Sequence, residues 1–260
     1  IVAGLVQMAV DRMLLRSLGM RGSSSPLDMV YAFTDEGKRW TLDAIERLRY
    51  VGPAPVALQD FTNRVNLQKL TNELVTYDRI RNSLGDLSFE ESILEQCGPA
   101  LNSGRAMLLY GPPGNGKTSV AHALGSIFSD VIYVPYAISV EGQIIRYHDP
   151  SIHAAIETQA AQQEDNESFV RAEDFDTRWV PCHRPFVVVG GELTLDMLDL
   201  RYDATGHFYE APLHVKALGG CFIIDDFGRQ LVSPRNLLNR WIVPLEGRVD
   251  YLNLHTGKSF

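Results

Sequence analysis

The chain has 260 residues, 45% of them apolar, and a formal net charge of −8. That length allows one large domain or two small ones with a sizeable buried core. The acidic balance excludes a general polyanion-coating or membrane-adhering surface, although a local basic patch remains compatible with it. No apolar run reaches the roughly 18 residues that a membrane span needs, and Asp11, Arg12 and Arg16 in the first stretch do not fit a signal peptide.

In chain order, Ile1 to Leu18 has apolar residues at 2, 5, 6, 9, 10, 13 and 14, which predicts a helix stopped by Gly19. Arg21 to Pro26 reads as a turn or flexible loop, Val30 to Phe33 as a short strand, and Thr34-Asp35 as the opening of a helix from about Lys38 to Arg49. Helix, loop, strand, helix is the closing half of a winged helix, with a small helical cap as the alternative. Val51-Gly52-Pro53-Ala54-Pro55 marks a boundary. Leu58 to Leu101 is mostly amphipathic helix, and Asn102-Ser103-Gly104 a turn. Ala106 to Tyr110 reads as a strand, Ser119 to Phe128 as a helix and Val131 to Val134 as a strand. Asp149 to Asp176 is polar, expected as helix plus loop. Trp179 to Gly190 reads as a strand pair, Leu193 to Leu200 as a short helix, Cys221 to Ile224 as a strand, Pro234 to Leu245 as a helix and Arg248 to Phe260 as a hairpin. Strands alternating with helices predict an α/β fold with a parallel sheet. The expected division is 1–50, a partial winged-helix domain; 51–105, a linker and helices; and 106–260, the core. The chain starts at Ile and stops just after the turn-like His255 to Lys258, so both ends read as cut and the core as C-terminally incomplete.

Gly111-Pro112-Pro113-Gly114-Asn115-Gly116-Lys117-Thr118 fits GxxxxGK[ST] in full, between an expected strand and an expected helix. Glycines let successive backbone N–H groups turn inward onto phosphate oxygens, and the following helix adds the positive end of its dipole. Lys117 is then expected on the β- and γ-phosphates and Thr118 on Mg²⁺. Ser119 is counted with the nucleotide-binding residues. The ligand expected is ATP with Mg²⁺. Cys221-Phe222-Ile223-Ile224-Asp225-Asp226, about a hundred residues further on, is an apolar strand ending in two acids. Asp225 is expected to hold Mg²⁺ and Asp226 to orient the attacking water. The catalytic set is Lys117, Asp225 and Asp226, and the metal set Thr118 and Asp225. Gly257-Lys258-Ser259 lacks the first glycine of the signature, Leu252 standing there, and reads as a hairpin turn. Cys97, Cys182 and Cys221 include no CxxC, which fits a reducing cytoplasm, and Cys182-His183 reads as ordinary for want of a second ligand pair.

Tyr110 to Ala121 (YGPPGNGKTSVA) and Phe222 to Arg229 (FIIDDFGR) resemble the AAA+ ATPases. Further stretches, among them YVPYAISVEGQIIR and VVVGGELTLDMLDLRYD, look like bacterial AAA-family ATPases with an N-terminal winged helix. The order after Asp226 is similar to the branch with a hairpin before the sensor strand, which includes MoxR-like chaperones, sigma-factor activators and the replicative MCM helicases. The resemblance implies a homo-oligomer, a hexamer, with ATP at subunit boundaries and energy spent on remodelling a protein partner. Winged helices also imply a DNA-binding ATPase, for which Arg12, Arg16 and Arg21 are the local cations. Asp226 departs from the more usual Glu, which keeps open a nucleotide-controlled scaffold with slow hydrolysis. The sensor residue, arginine finger and lid would lie beyond Phe260, and none of Arg229, Arg235 and Arg240 matches a finger position. Phe208 and Tyr209 are read as a local core, with a pore-lining grip as the alternative.

Overall fold

A computed structural model describes residues 2–20, 29–85, 91–156 and 176–260. The chain forms two units, one of Ile1–Val51 with Ala204–Phe208 and one of Gly52–Asp203 with Tyr209–Phe260.

In the first unit, α1 (Val2–Asp11) is followed by β1 (Leu15–Met20), antiparallel to β2 (Met29–Phe33). The helix thus ends earlier than the apolar spacing predicts. Met13 takes a left-handed φ of 57°, and the Thr34 hydroxyl donates to the Met13 carbonyl at 2.6 Å, while Leu15 and Arg16 pair with Phe33 and Ala32. Sheet pairing overrides a spacing that a short apolar run cannot fix alone. α2 (Asp35–Arg47) begins where Thr34 accepts the Gly37 N–H, with Asp35 and Glu36 in its first turn, an N-cap completed by favourable dipole charge. The loop expected over Arg21 to Pro26 lies outside the described residues.

The second unit is mixed α/β. A five-stranded sheet runs in the order β3 (Val56–Ala57), β5 (Ala137–Val140), β6 (Gln143–Arg146), β10 (Phe208–Glu210), β9 (Arg201–Asp203). β3 and β5 are parallel, β6 and β10 are parallel, and β5 and β6 form an antiparallel hairpin. That hairpin turns on Glu141-Gly142, both at positive φ, as a tight two-residue hairpin loop requires. The expected all-parallel sheet is therefore corrected to mixed and divided sheets. β4 (Val131–Pro135) pairs antiparallel with β7 (Trp179–His183), and β8 (Phe186–Val189) pairs parallel with β11 (Cys221–Ile224). Trp179 to Gly190 thus holds two strands in separate sheets, not a pair.

Four helices carry much of the remainder: α3 (Leu58–Leu67), α4 (Tyr77–Leu84), α5 (Glu91–Asn102) and α6 (Lys117–Gly125). Phe61 of α3 packs edge-on to Tyr147 at 5.0 Å, in a core shared with Val56, Ile138, Ile145 and Tyr209. Ile80, Leu84, Cys97, Val120 and Leu124 join α4, α5 and α6 in a second core. At Gly125 a Cβ would lie 1.9 Å from the Phe186 ring, so glycine lets α6 close directly onto β8. α7 (Leu213–Lys216) is a single turn, and α8 (Pro234–Gly247) starts at the Ser233 cap and packs Leu237 beneath β8 with Val187 and Val189.

Three further expectations change. Ala106 to Tyr110 forms no strand, and Leu108 and Tyr110 are 76% and 88% exposed. Asp149 to Ile156 turns without helix, and 157–175 lies outside the described residues. The C-terminal hairpin is confined to Leu252–Phe260, with one bridge between Asn253 and Ser259. Among the described residues no helix is long and apolar enough to cross a membrane.

Candidate functional site

The segment from Gly111 to Asn115 is exposed loop, Gly116 is half-buried, and Lys117 is the first residue of α6. Gly111, Gly114 and Gly116 have φ of 150°, 83° and 70°, in the region where a side chain is strained. A Cβ at any of them would meet nothing within 4 Å, so the glycines serve the curl of the backbone, not close packing. Pro112, Pro113 and Asn115 lie exposed between them. The Lys117 ammonium folds back and donates to the Pro112 carbonyl at 2.7 Å. It therefore lies over the loop it would share with a phosphate. Ser119 is exposed on the first turn of α6.

The acidic turn comes from a different part of the chain. β11 extends one step beyond Ile224, where the Asp225 N–H donates to the Val189 carbonyl at 2.8 Å. Asp225 Oδ2 accepts the Thr118 hydroxyl at 3.0 Å, across a sequence separation of 107 residues. Its Oδ1 accepts the Asp226 N–H at 2.9 Å. Asp226 itself is exposed, with φ at 49° and its carboxylate 3.6 Å from the Arg229 guanidinium. Thus the structure brings Thr118 and Asp225 into contact, sets Asp226 next to them, and leaves Lys117 on its own loop.

This donor set suits a hard divalent cation. Among the described residues no three His, Cys, Asp or Glu side chains converge as a metal cage. Mg²⁺ needs no such cage, because it takes one or two protein oxygens and fills its octahedron with phosphate oxygens and water. The Thr118 hydroxyl and Asp225 carboxylate are two hard oxygens already at mutual contact distance.

Sequence reasoning missed Gln230. Its side-chain amide is buried beneath the acidic turn and donates to the Asp225 carbonyl at 2.9 Å and the Asp226 carbonyl at 3.2 Å. The signal was a polar residue four positions past Asp226, which has no fixed meaning in the signature itself. Of the three arginines considered, Arg240 is committed to Asp250 through two 2.8 Å hydrogen bonds and to the Leu198 carbonyl at 2.9 Å. Arg229 faces Asp226, and Arg235 is exposed.

Elsewhere, Phe208 and Tyr209 are 8% and 1% exposed, and the Tyr209 hydroxyl accepts the His255 N–H at 2.9 Å. They are core side chains, and the pore-lining alternative falls. Cys182 is buried in the core around β4 and β7, where desolvation pushes its thiol up to about 11. His255 to Gly257 turns the terminal hairpin, with the Leu254 N–H donating to the Lys258 carbonyl at 2.8 Å and the Lys258 ammonium on Glu141 at 2.6 Å. No protein-family model matches this chain and no curated protein does, so the chemistry of the site rests on its own residues and geometry.

Proposed function

We propose that this chain binds ATP with Mg²⁺ in the Gly111–Thr118 loop and hydrolyses it. The observation that carries the reading is the 3.0 Å contact between Thr118, the last residue of a complete phosphate-loop signature, and Asp225, the first acid after an apolar strand. Two distant segments, each chosen on sequence for one half of a nucleotide site, meet at the two atoms that would share the cation.

In this reading the curled loop surrounds the phosphates with backbone N–H groups, and Lys117 exchanges the Pro112 carbonyl for phosphate oxygens. Thr118 and Asp225 hold the cation, which when bound neutralises charge on the phosphates. Asp226 accepts a hydrogen bond from water and aims it in line with the bond to be broken. The Arg229–Asp226 pair is exposed and solvent-screened, so it yields readily to that water. Calorimetric titration with Mg-ATP and steady-state phosphate release test the proposal. Absence of binding would end it, and binding without release would reduce the protein to the nucleotide-controlled scaffold.

The AAA+ resemblance extends the proposal to a homo-oligomer, a hexamer, that remodels a protein partner. Light scattering with a non-hydrolysable ATP analogue tests assembly. A second reading, DNA engagement, is favoured by one observation. The first unit presents an antiparallel β1–β2 hairpin between two helices, with Arg12 and Arg16 exposed. Salt-dependent retention on duplex DNA would support it, since phosphate contacts weaken steeply with salt.

A further inference from the structure

The turn bearing Asp225 and Asp226 is held by a side chain outside both signatures. Gln230 is 8% exposed, and its Nε2 faces three carbonyls: Asp225 at 2.9 Å, Asp226 at 3.2 Å and Gly190 at 3.3 Å. Its Oε1 accepts the Gly228 N–H at 2.8 Å. An amide has two N–H donors, so both are committed and one is shared. The Arg229 N–H closes the same turn on the Asp226 carbonyl at 2.9 Å.

Asp226 has φ at 49°, a left-handed conformation that is uncommon outside glycine though Asp adopts it more readily than most residues, and here the surrounding hydrogen bonds hold it there. The direction of its Cα–Cβ bond, and so the aim of its carboxylate, follows from that backbone. Gln230 grips the peptide carbonyls on both sides of the Asp226 N–H and Cα. The grip on Gly190 ties them to the end of β8, where Glu192 accepts the Gly190 N–H at 2.9 Å. Two strand ends and the acidic turn therefore meet at one buried amide.

We propose that Gln230 is a positioning residue for phosphoryl transfer, fixing the backbone of Asp226 so that its carboxylate meets the attacking water. It touches neither nucleotide nor cation. This rests on the reading of the site as ATP-hydrolysing. Misplacement of a water-orienting group by a fraction of an ångström lowers the rate of chemistry without lowering ground-state affinity.

Two substitutions in the full-length protein test the proposal. Gln230→Met keeps the length of the side chain and removes the amide. It should lower kcat by about tenfold to a hundredfold while KM and calorimetric affinity for Mg-ATP stay within about twofold. Gln230→Glu keeps the acceptor for Gly228 and loses both donors while ionised. Burial among carbonyls raises the pKa of such a carboxyl, and its protonated form regains one O–H donor. Its kcat relative to wild type should therefore recover as pH falls from about 8 towards 6. A residue that only stabilised the fold would give neither the split between kcat and KM nor the acid recovery. If Gln230→Met does not fold, the pH profile of Gln230→Glu decides alone. Wild-type kcat in the variants, or loss of kcat and affinity together without acid recovery, overturns the proposal. Wild-type protein that turns over ATP and loses it on Asp226→Asn, beside Gln230 variants that match wild type, removes this inference and leaves the site intact. A wild-type protein without ATP turnover overturns both.

Discussion

Two charged regions of the second unit are built on opposite principles. Around Lys117, Thr118, Asp225 and Asp226 the ionic groups are partly or fully exposed, and the contacts there are few. Around Lys216 they are consumed by one another, with Lys216 and Glu210 buried and Asp149 half-buried. The Lys216 ammonium, with its side chain 8% exposed, lies 2.9 Å from Asp149 and 3.5 Å from Glu210, and Glu210 also pairs with Arg146. His153, 1% exposed, accepts the Asp149 N–H at Nδ1 and meets the Lys216 carbonyl at Nε2. Desolvation pushes the Asp149 carboxyl up, but hydrogen bonds from Ser151 and Lys216 outweigh it and hold the group well below the usual carboxylate range. The difference separates a candidate binding site from a structural joint. A site keeps its valences open for a ligand, whereas a joint satisfies them internally, because unpaired buried charge is costly.

That contrast can be broken first at the joint. Lys216→Met would leave two carboxylates without their shared cation and should cost about 3–5 kcal/mol of stability, seen as a lower urea midpoint. An unchanged midpoint would mean that the cluster contributes nothing to the fold. At the site the reverse pattern is expected. Asp226→Asn should reduce phosphate release by about a hundredfold, roughly 2.7 kcal/mol in barrier, while ATP affinity and the urea midpoint hold. Unaltered turnover would remove Asp226 as the water-orienting acid. Lys117→Ala should weaken ATP binding by about tenfold, or 1.4 kcal/mol, and calorimetry showing equal affinity would contradict the role given to Lys117.

The smallest effect sharpens the comparison through pH. Burial lowers His153 to about 4 from an ordinary value of 6.5. Between these values the unfolded chain binds more protons than the folded one, so stability rises with pH across this window and falls as acid is added. Asp149, depressed in the folded state, adds loss of the same sign at lower pH, below its unfolded value. His153→Gln should flatten the upper part of that slope in urea titrations at stepped pH. A slope equal to that of wild type would place the proton uptake elsewhere.

The candidate site was legible because its residue types carry fixed chemistry: three glycines at positive φ, a lysine, a hydroxyl and an acid at the end of a strand. Cys221 to Ile224, Val131 to Val134 and the helix from Pro234 were equally readable from their apolar pattern and capping. The joint was not. Arg146, Asp149, Glu210 and Lys216 are ordinary surface residue types, and nothing in the sequence announces the β6–β10 pairing that sets Glu210 opposite Arg146. The Glu141-Gly142 hairpin left a turn signal in the sequence, but strands of four residues gave too few alternations to count. Ala106 to Tyr110 shows the converse, since apolar residues alone do not create a partner strand.

The contact between Thr118 and Asp225 also has a consequence for synthesis. At about 5–20 residues per second, the separation of 107 positions takes on the order of 5–20 s to synthesise, during which Thr118 has no Asp225 to meet. β8, whose Val189 carbonyl receives Asp225, is made roughly two-thirds of the way through that interval, and β11 can dock only afterwards. Under the proposed reading, a nascent chain halted before Cys221 would carry the phosphate-binding loop without the acid that shares its cation. Ribosome-bound intermediates should acquire Mg²⁺-dependent nucleotide affinity in one late step.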